Sequence, residues 1–296
     1  MTEVATARFE ELTARCRIAV ESGLLQDAMT LADDAVEVAQ TLGAAAQRRA
    51  QCNRAQILIE LGEIDSVIAP LRQLLTESRE VETSFRAAYG LARAYDLKSD
   101  HAKAHFYLRI AKGHAAASGN AEFQRWAHNL SGCLLIAESR FSEAVIELEL
   151  ALSTPSAISV WRAFVEDNLG YCYVVLGRQA EGLQLLYRSW VTLRRAPGGL
   201  ARFPRLALCY AYLEADRLPR AERHGRAALA AADDAGDRET AKMALYLLGE
   251  VAKQKDDIAL ARAYFGMLQV RFYPSNSDLA DVLLHVDARQ LVNLKA

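Results

Sequence analysis

His101 and His105 lie four residues apart, a spacing that sets two imidazoles on one face of a helix, where they could ligate a metal. No acidic partner of the HExxH kind accompanies them, so they read as surface histidines. Five cysteines (Cys16, Cys52, Cys133, Cys172 and Cys209) are scattered, odd in number and without a CxxC pair. That argues against a disulfide framework or zinc knuckle, and a reducing cytoplasm is the expected location. A thiol nucleophile needs a base and an electropositive setting, whereas Cys133 and Cys172 sit inside apolar stretches with neither. P-loop, GxSxG and GxGxxG patterns are absent. Asp33–Asp34 and Asp233–Asp234 fall late in predicted helices and read as solvated faces. The chain is therefore not expected to be an enzyme, and no cofactor or metal is expected. One stretch is skewed in charge. Between Glu181 and Glu214 there is no acid, yet Arg188, Arg194, Arg195, Arg202 and Arg205 occur. Such a run could hold phosphate, acidic peptide or RNA, or be balanced by acids of neighbouring elements. No one-base-per-repeat code runs along the chain, so nucleic acid is not the expected partner.

The 296 residues are 52% hydrophobic and 24% charged, with a formal net charge of −2. This is globular composition with no global pull toward nucleic acid or anionic membrane. The opening "MTEVATARFEELTARCR" carries acids and no apolar core of a signal peptide. No uncharged apolar run reaches the roughly 18 residues of a membrane span. Six prolines and sixteen glycines are few for an all-β domain and favour long helices.

What would position any binding residues is a repeat. A small residue recurs at Cys16, Ala55, Ala92, Gly132, Gly170, Cys209 and Gly249, at intervals of about 39 residues. Twelve residues after each comes a second position, Ala28, Val67, Ala104, Ala144, Gly182, Ala221 and Ala261. Seven further on comes a third, Ala35, Leu74, Ala111, Ala151, Ser189, Ala228 and Leu268. A larger apolar residue follows the first position by three in most repeats, as Leu58, Tyr95, Leu135, Tyr173 and Tyr212, with Ala19 and Ala252 as exceptions. Two antiparallel helices approach to about 8–10 Å, depending on side-chain size at the crossing. Small residues there let the backbones close up, and large ones a turn away fill the space beside it. Because a helix pair cannot bury its apolar face alone, such pairs stack into a solenoid.

"LGYCYVVLG" followed by "AEGLQLLYRSW" resembles the tetratricopeptide repeat. So do "GLARAYDLKSDHAKAHFYLRIA", "LSGCLLIAESRFSEAVIELELAL" and "LCYAYLEADRLPRAERHGRAAL". The resemblance covers nearly the whole chain, but the period exceeds the usual 34 or so and the repeat-ending proline is missing. Longer repeats of this kind are similar to those of kinesin light chains and of bacterial regulator sensor domains. HEAT and armadillo repeats are the alternative architecture, with the small–aromatic–small spacing favouring the tetratricopeptide kind. The repeats holding Val67 and Ala252 match least.

The resemblance implies an all-α, right-handed superhelix forming a single solenoid over 1–296. Its helix pairs are expected at about 5–42, 44–79, 82–117, 120–153, 157–195, 200–235 and 238–271. A capping helix follows at 276–294, after "YPSNSD". Ser275 and Asp278 have capping-box spacing, and Leu279, Val282, Leu283 and Val286 form its apolar stripe. Pro219 is placed at the first residue of a helix, and Pro70 in the first turns of another. "APGG" at 196–199 reads as a long turn between repeats or a hinge between two subdomains.

In the resembled family the first helices line a concave groove. Transferred position by position, that face comprises Arg49, Cys52, Asn53 and Gln56, then Arg86, Tyr89 and Arg93, then Trp126, Asn129 and Cys133. It continues with Phe164, Asp167, Asn168 and Tyr171, then Phe203, Leu206 and Tyr210, then Met243, Tyr246 and Glu250. Asn and Gln amides can pair with the N–H and C=O groups of an extended peptide, and aromatics are enriched in binding hot spots. Asn53 and Asn168 correspond to one part of the Lys/Asn/Arg carboxylate clamp of chaperone-tail-binding members, but its lysines are absent, so an EEVD-type ligand is not expected. The expected function is a non-enzymatic scaffold or adaptor that binds a protein or peptide segment. A ligand-sensing regulatory domain controlling a separate effector is the alternative, and phosphate or nucleic-acid binding through the 188–205 arginines is a third.

Overall fold

The computed structural model describes residues 2–153, 159–290 and 293–295. Among these residues every regular element is helical. The helices are α1 (Thr2–Glu21), α2 (Leu25–Ala39), α3 (Ala44–Glu60), α4 (Ile64–Glu77), α5 (Val81–Leu97), α6 (His101–Ser118), α7 (Ala121–Ala137) and α8 (Phe141–Ser153). They continue as α9 (Ser159–Val175), α10 (Gln179–Leu193), α11 (Arg202–Glu214), α12 (Leu218–Asp234), α13 (Arg238–Gln254), α14 (Ile258–Phe272) and the short α15 (Leu279–His285). Odd- and even-numbered helices pair as helix–turn–helix units, giving an all-α, tetratricopeptide-like solenoid fold with α15 as its cap. The chain divides into two compact units, Met1–Leu135 with Ile146–Ala157, and Ile136–Val145 with Ile158–Ala296.

The turns inside the pairs show why the chain reverses where it does. Gly23, Gly62, Ser99, Ser139, Gly177, Asp216 and Asp256 all have positive φ, between 54° and 84°. Each follows the small residue of its first helix by seven. Such a left-handed residue ends a helix and turns the next amide back onto the last turn. In six turns that bond is present, running from the amides of Leu24, Glu63, Asp100, Arg178, Arg217 and Asp257 to the carbonyls of Ala19, Leu58, Tyr95, Tyr173, Tyr212 and Ala252. Asp100 and Asp257 also cap the following helices, accepting from the amides of Lys103 and Leu260.

The three small positions are buried in every repeat. Their size is set by close approach. A Cβ on Gly170 would stand 3.0 Å from the Gly182 carbonyl oxygen, and one on Gly182 would stand 2.7 Å from the Gly170 carbonyl oxygen. At Gly249 the added carbon would meet the Phe265 ring at 2.2 Å. Around these contacts each unit builds a core. In the first it gathers Ile59, Leu71, Phe85, Leu91, Leu108 and Leu130 among others. At the end of the second, Leu245, Phe265, Leu268, Leu283 and Ala288 cluster. Burying a side chain such as Phe265 contributes about 1.5–3 kcal/mol.

Some local expectations need correction. The terminal helix runs from Leu279 to His285 rather than over 276–294. It starts after Asp278 without a side-chain cap bond, because the Asp278 carboxylate instead accepts from the Ser277 hydroxyl at 2.9 Å. Val286 is already extended, and among the described residues only a 3-10 turn, Ala288–Gln290, follows. Leu279, Leu283 and Val286 join the core, with Leu284 beside them, whereas Val282 is 52% exposed. Pro70 is the seventh residue of α4, in its second turn, so the helix forgoes one internal hydrogen bond there. Pro219 is the second residue of α12.

Candidate functional site on the first helices

In the first unit, α3, α5 and α7 place most of the expected groove residues together. Arg86 donates to the Asn53 side-chain oxygen Oδ1 at 3.3 Å, and its guanidinium lies 5.3 Å from the Phe123 ring centre and 5.8 Å from that of Trp126. Tyr89 and Trp126 pack at 5.9 Å, backed by Phe85 and Phe123 stacked at 4.1 Å. Tyr89, Trp126, Asn53 and Arg86 are half-buried, so one edge of each is held by the core while the other faces outward. Burial pushes the Tyr89 hydroxyl up to about 12, keeping it a neutral donor. Arg93 pairs with Glu60, and that carboxylate raises the guanidinium's pKa. Two amides are incompletely matched, since Gln56 Nε2 and Asn129 Oδ1 are buried atoms with no hydrogen-bond partner among the described residues. Arg49 stands apart from this group, bound to Glu10 of α1 at 2.6 Å over the Phe9 ring.

In the second unit the expected residues divide. Phe164 and Phe203 meet edge to face at 5.7 Å and pack around Ala163, Leu193 and Leu200. Tyr246 joins the terminal core cluster. Asn168 and Met243 are half-buried and Leu206 is buried. Asp167, Tyr171 and Glu250 instead meet the segment that follows α15. The Ala288 amide donates to Glu250 at 3.1 Å. The Leu294 amide donates to the Tyr171 hydroxyl at 3.2 Å, and that hydroxyl donates to the Asn293 side-chain oxygen at 3.3 Å. Lys295 forms an ion pair with Asp167. Tyr171 also packs against Tyr210 at 5.6 Å. Burial raises the Asp167 carboxyl, with Lys295 opposing the rise. It likewise raises the Tyr171 hydroxyl and pushes that of Tyr210 up to about 12.

The transferred positions omitted Glu214 and Lys253, which join this second face. Glu214 meets Arg289 at 3.2 Å. Lys253 donates to the carbonyls of Leu283 and Val286 and pairs with Glu250. The available signal was charge, because Arg289 and Lys295 carry cations that meet acids on the first helices, exposed Glu214 and buried Asp167.

The arginine stretch is largely committed to internal contacts. Arg188 binds buried Glu166 at 2.5 Å and Arg202 binds Asp237 at 2.7 Å. Arg194 and Arg205 lie over Trp190 at 4.9 and 5.5 Å. Burial pushes the Cys52 and Cys209 thiols up to about 12, away from the thiolate that nucleophilic chemistry requires. Among the described residues no three His, Cys, Asp or Glu side chains converge to hold a metal. No described helix is long and apolar enough to cross a membrane. The paired helices and their faces define a tetratricopeptide-like solenoid, a fold typical of protein- and peptide-binding scaffolds.

Solved structures share this architecture. A Rap protein complexed with competence and sporulation factor is similar over 98% of this chain and 90% of its own, with a TM-score of 0.67 at 11% identity. PilW, a widely conserved type IV pilus biogenesis factor, matches 80% of this chain and 98% of its own at 20% identity and a TM-score of 0.59. PilF of Pseudomonas aeruginosa matches 81% of this chain and 97% of its own at 20% identity and a TM-score of 0.55. No family model and no curated protein sequence matches the chain. The likeness to PilW and PilF overturns the expectation of a cytoplasmic location. PilW, a pilus biogenesis factor, has a similar fold, so scattered free cysteines on helices do not assign a compartment.

Proposed function

We propose that this chain is a binding scaffold that takes an extended protein or peptide segment on the face of its first helices. The observation that supports this most directly is the half-buried group Asn53, Arg86, Tyr89 and Trp126, adjoined by the incompletely matched amides of Gln56 and Asn129. Rigid aromatics beside amide donors and acceptors suit a backbone with unpaired N–H and C=O groups. The reading extends to long repeats of about 39 residues running through 1–296, similar to those of kinesin light chains and bacterial regulator sensor domains. It is tested with a Tyr89→Ala/Trp126→Ala/Asn129→Ala/Asn168→Ala variant beside the unaltered chain in affinity purification from the native host. A folded variant that loses a partner supports the reading, and one that keeps every partner overturns it.

The likeness to a Rap protein complexed with competence and sporulation factor favours a second reading, a ligand-sensing domain that controls a separate effector. Small rotations per repeat add along a solenoid. This reading expects a ligand-dependent change in radius of gyration, measured by small-angle scattering, which a passive adaptor does not show.

A further inference from the structure

After α15 the described residues 286–290 and 293–295 lie on the first-helix face of the second unit as a bound peptide would. From Val286, already extended at φ −117° and ψ 155°, their contacts pass from α13 to α11 to α9. Lys253 and Glu250 of α13 engage the Val286 carbonyl and the Ala288 amide. Glu214 of α11 engages Arg289. Tyr171 and Asp167 of α9 engage Asn293, Leu294 and Lys295. The Asn293 amide also donates to the Ile136 carbonyl at 2.6 Å. This is recognition of backbone groups together with three side chains, Arg289 at α11 and, two residues apart at α9, the Asn293 amide and Lys295. Asp167 is 1% exposed, and its Oδ1 has no hydrogen-bond partner among the described residues. A buried carboxylate is costly unless a cation meets it, so the position is built for a basic side chain.

We propose that this face recognises segments carrying an asparagine or glutamine followed two residues later by a lysine, and that residues 286–290 and 293–295 are its resident competitor. A partner presenting the same chemistry displaces the tail and takes its place. The inference rests on the reading of the first-helix faces as peptide-binding, and adds the ligand's chemistry and its regulation.

The test uses the full chain and a fluorescein-labelled peptide with the sequence of residues 286–296. In an Asn293→Ala/Lys295→Glu variant the tail loses its amide and its cation, so the labelled peptide should bind at least tenfold more tightly than it binds the unaltered chain. Adding Asp167→Asn should cancel that gain. A release variant with unchanged circular dichroism and no gain in peptide affinity overturns the proposal. Should the release variant fold poorly, hydrogen exchange on the unaltered chain decides. The Ala288 and Leu294 amides should exchange at least tenfold more slowly than in the free peptide and lose that protection when labelled peptide is added well above the roughly millimolar effective concentration of the tethered tail. Free-chain rates, or protection that excess peptide leaves intact, overturn it. The two readings fail separately. An unbound peptide alongside partners lost from the four-residue variant removes only the tail inference. A bound peptide alongside partners retained removes only the assignment of partners to the groove variant's residues.

Discussion

Small residues in this protein are chosen by what stands opposite them. Gly249 lies in the middle of α13 with the Phe265 ring where its Cβ would be. Alanine is the better helix former by about 1 kcal/mol, but a ring in a packed core has no room to yield, and overpacking costs typically 1–3 kcal/mol. Gly249→Ala is therefore expected to lose up to about 2 kcal/mol net in urea unfolding. Gly113, exposed on α6 with no atom within 4 Å of an added Cβ, is the control. Gly113→Ala should gain about 0.5–1 kcal/mol. At this scale the sequence was legible wherever a position repeated. The slots at 132, 170 and 249 stand out because seven copies can be aligned. Asp167 was recognised as facing the groove, but not as the partner of Lys295, because the two are 128 residues apart and no periodicity relates them.

Elements end where the chain can adopt a left-handed turn. Three of the seven turns inside the pairs use glycine, and four use Ser99, Ser139, Asp216 and Asp256. A side chain there costs about 1–2 kcal/mol, partly offset because glycine loses more entropy on folding. Ser99→Gly and Ser139→Gly should each gain about 0.5–1 kcal/mol, while Gly62→Ala should lose about 1 kcal/mol. Gly62 is informative because an added Cβ would meet nothing within 4 Å, so its loss would be purely conformational. Thermal midpoints that move in opposite directions for the two kinds of change would bear this out. The helices themselves were legible because small and large residues recur at fixed intervals. The terminal one was overextended because Leu279, Leu283 and Val286 keep helical spacing up to the point where the backbone becomes extended. What stops the helix is its surroundings. Lys253 captures the carbonyls of Leu283 and Val286, which a longer helix would have needed for its own ladder.

At the scale of the whole molecule, stability should depend on acidity through one buried ring. His224 is 3% exposed, and neither ring nitrogen has a hydrogen-bond partner among the described residues. It stacks on Tyr212 at 5.6 Å, with Tyr187 and Trp190 edge-on. Burial, reinforced by Arg205, Arg223 and Arg220, holds its pKa at about 4 instead of 6.5. The unfolded chain then binds the proton more readily than the folded one, so stability falls as pH drops from 6.5 toward 4. The expected loss is about 1.4 kcal/mol at pH 5.5 and about 3 kcal/mol at pH 4. It should be absent from His224→Phe, as read from urea midpoints at those pH values. Sequence reading passed over this histidine because it belongs to no motif. Its setting exists only once α10, α11 and α12 bring three aromatics and three arginines around it.

A tail attached to the face it occupies has one further consequence, which concerns concentration. A tethered segment meets its site at an effective concentration of the order of millimolar, and dilution of the protein does not change that. Outside segments of equal intrinsic strength, present at micromolar levels, would occupy the face only rarely. Occupancy would pass to those that add contacts beyond the ones Asn293 and Lys295 make, or that arrive in linked copies. On the proposal made above, such a face would act as a threshold, silent to weak ligands and responsive to a narrow class of strong ones.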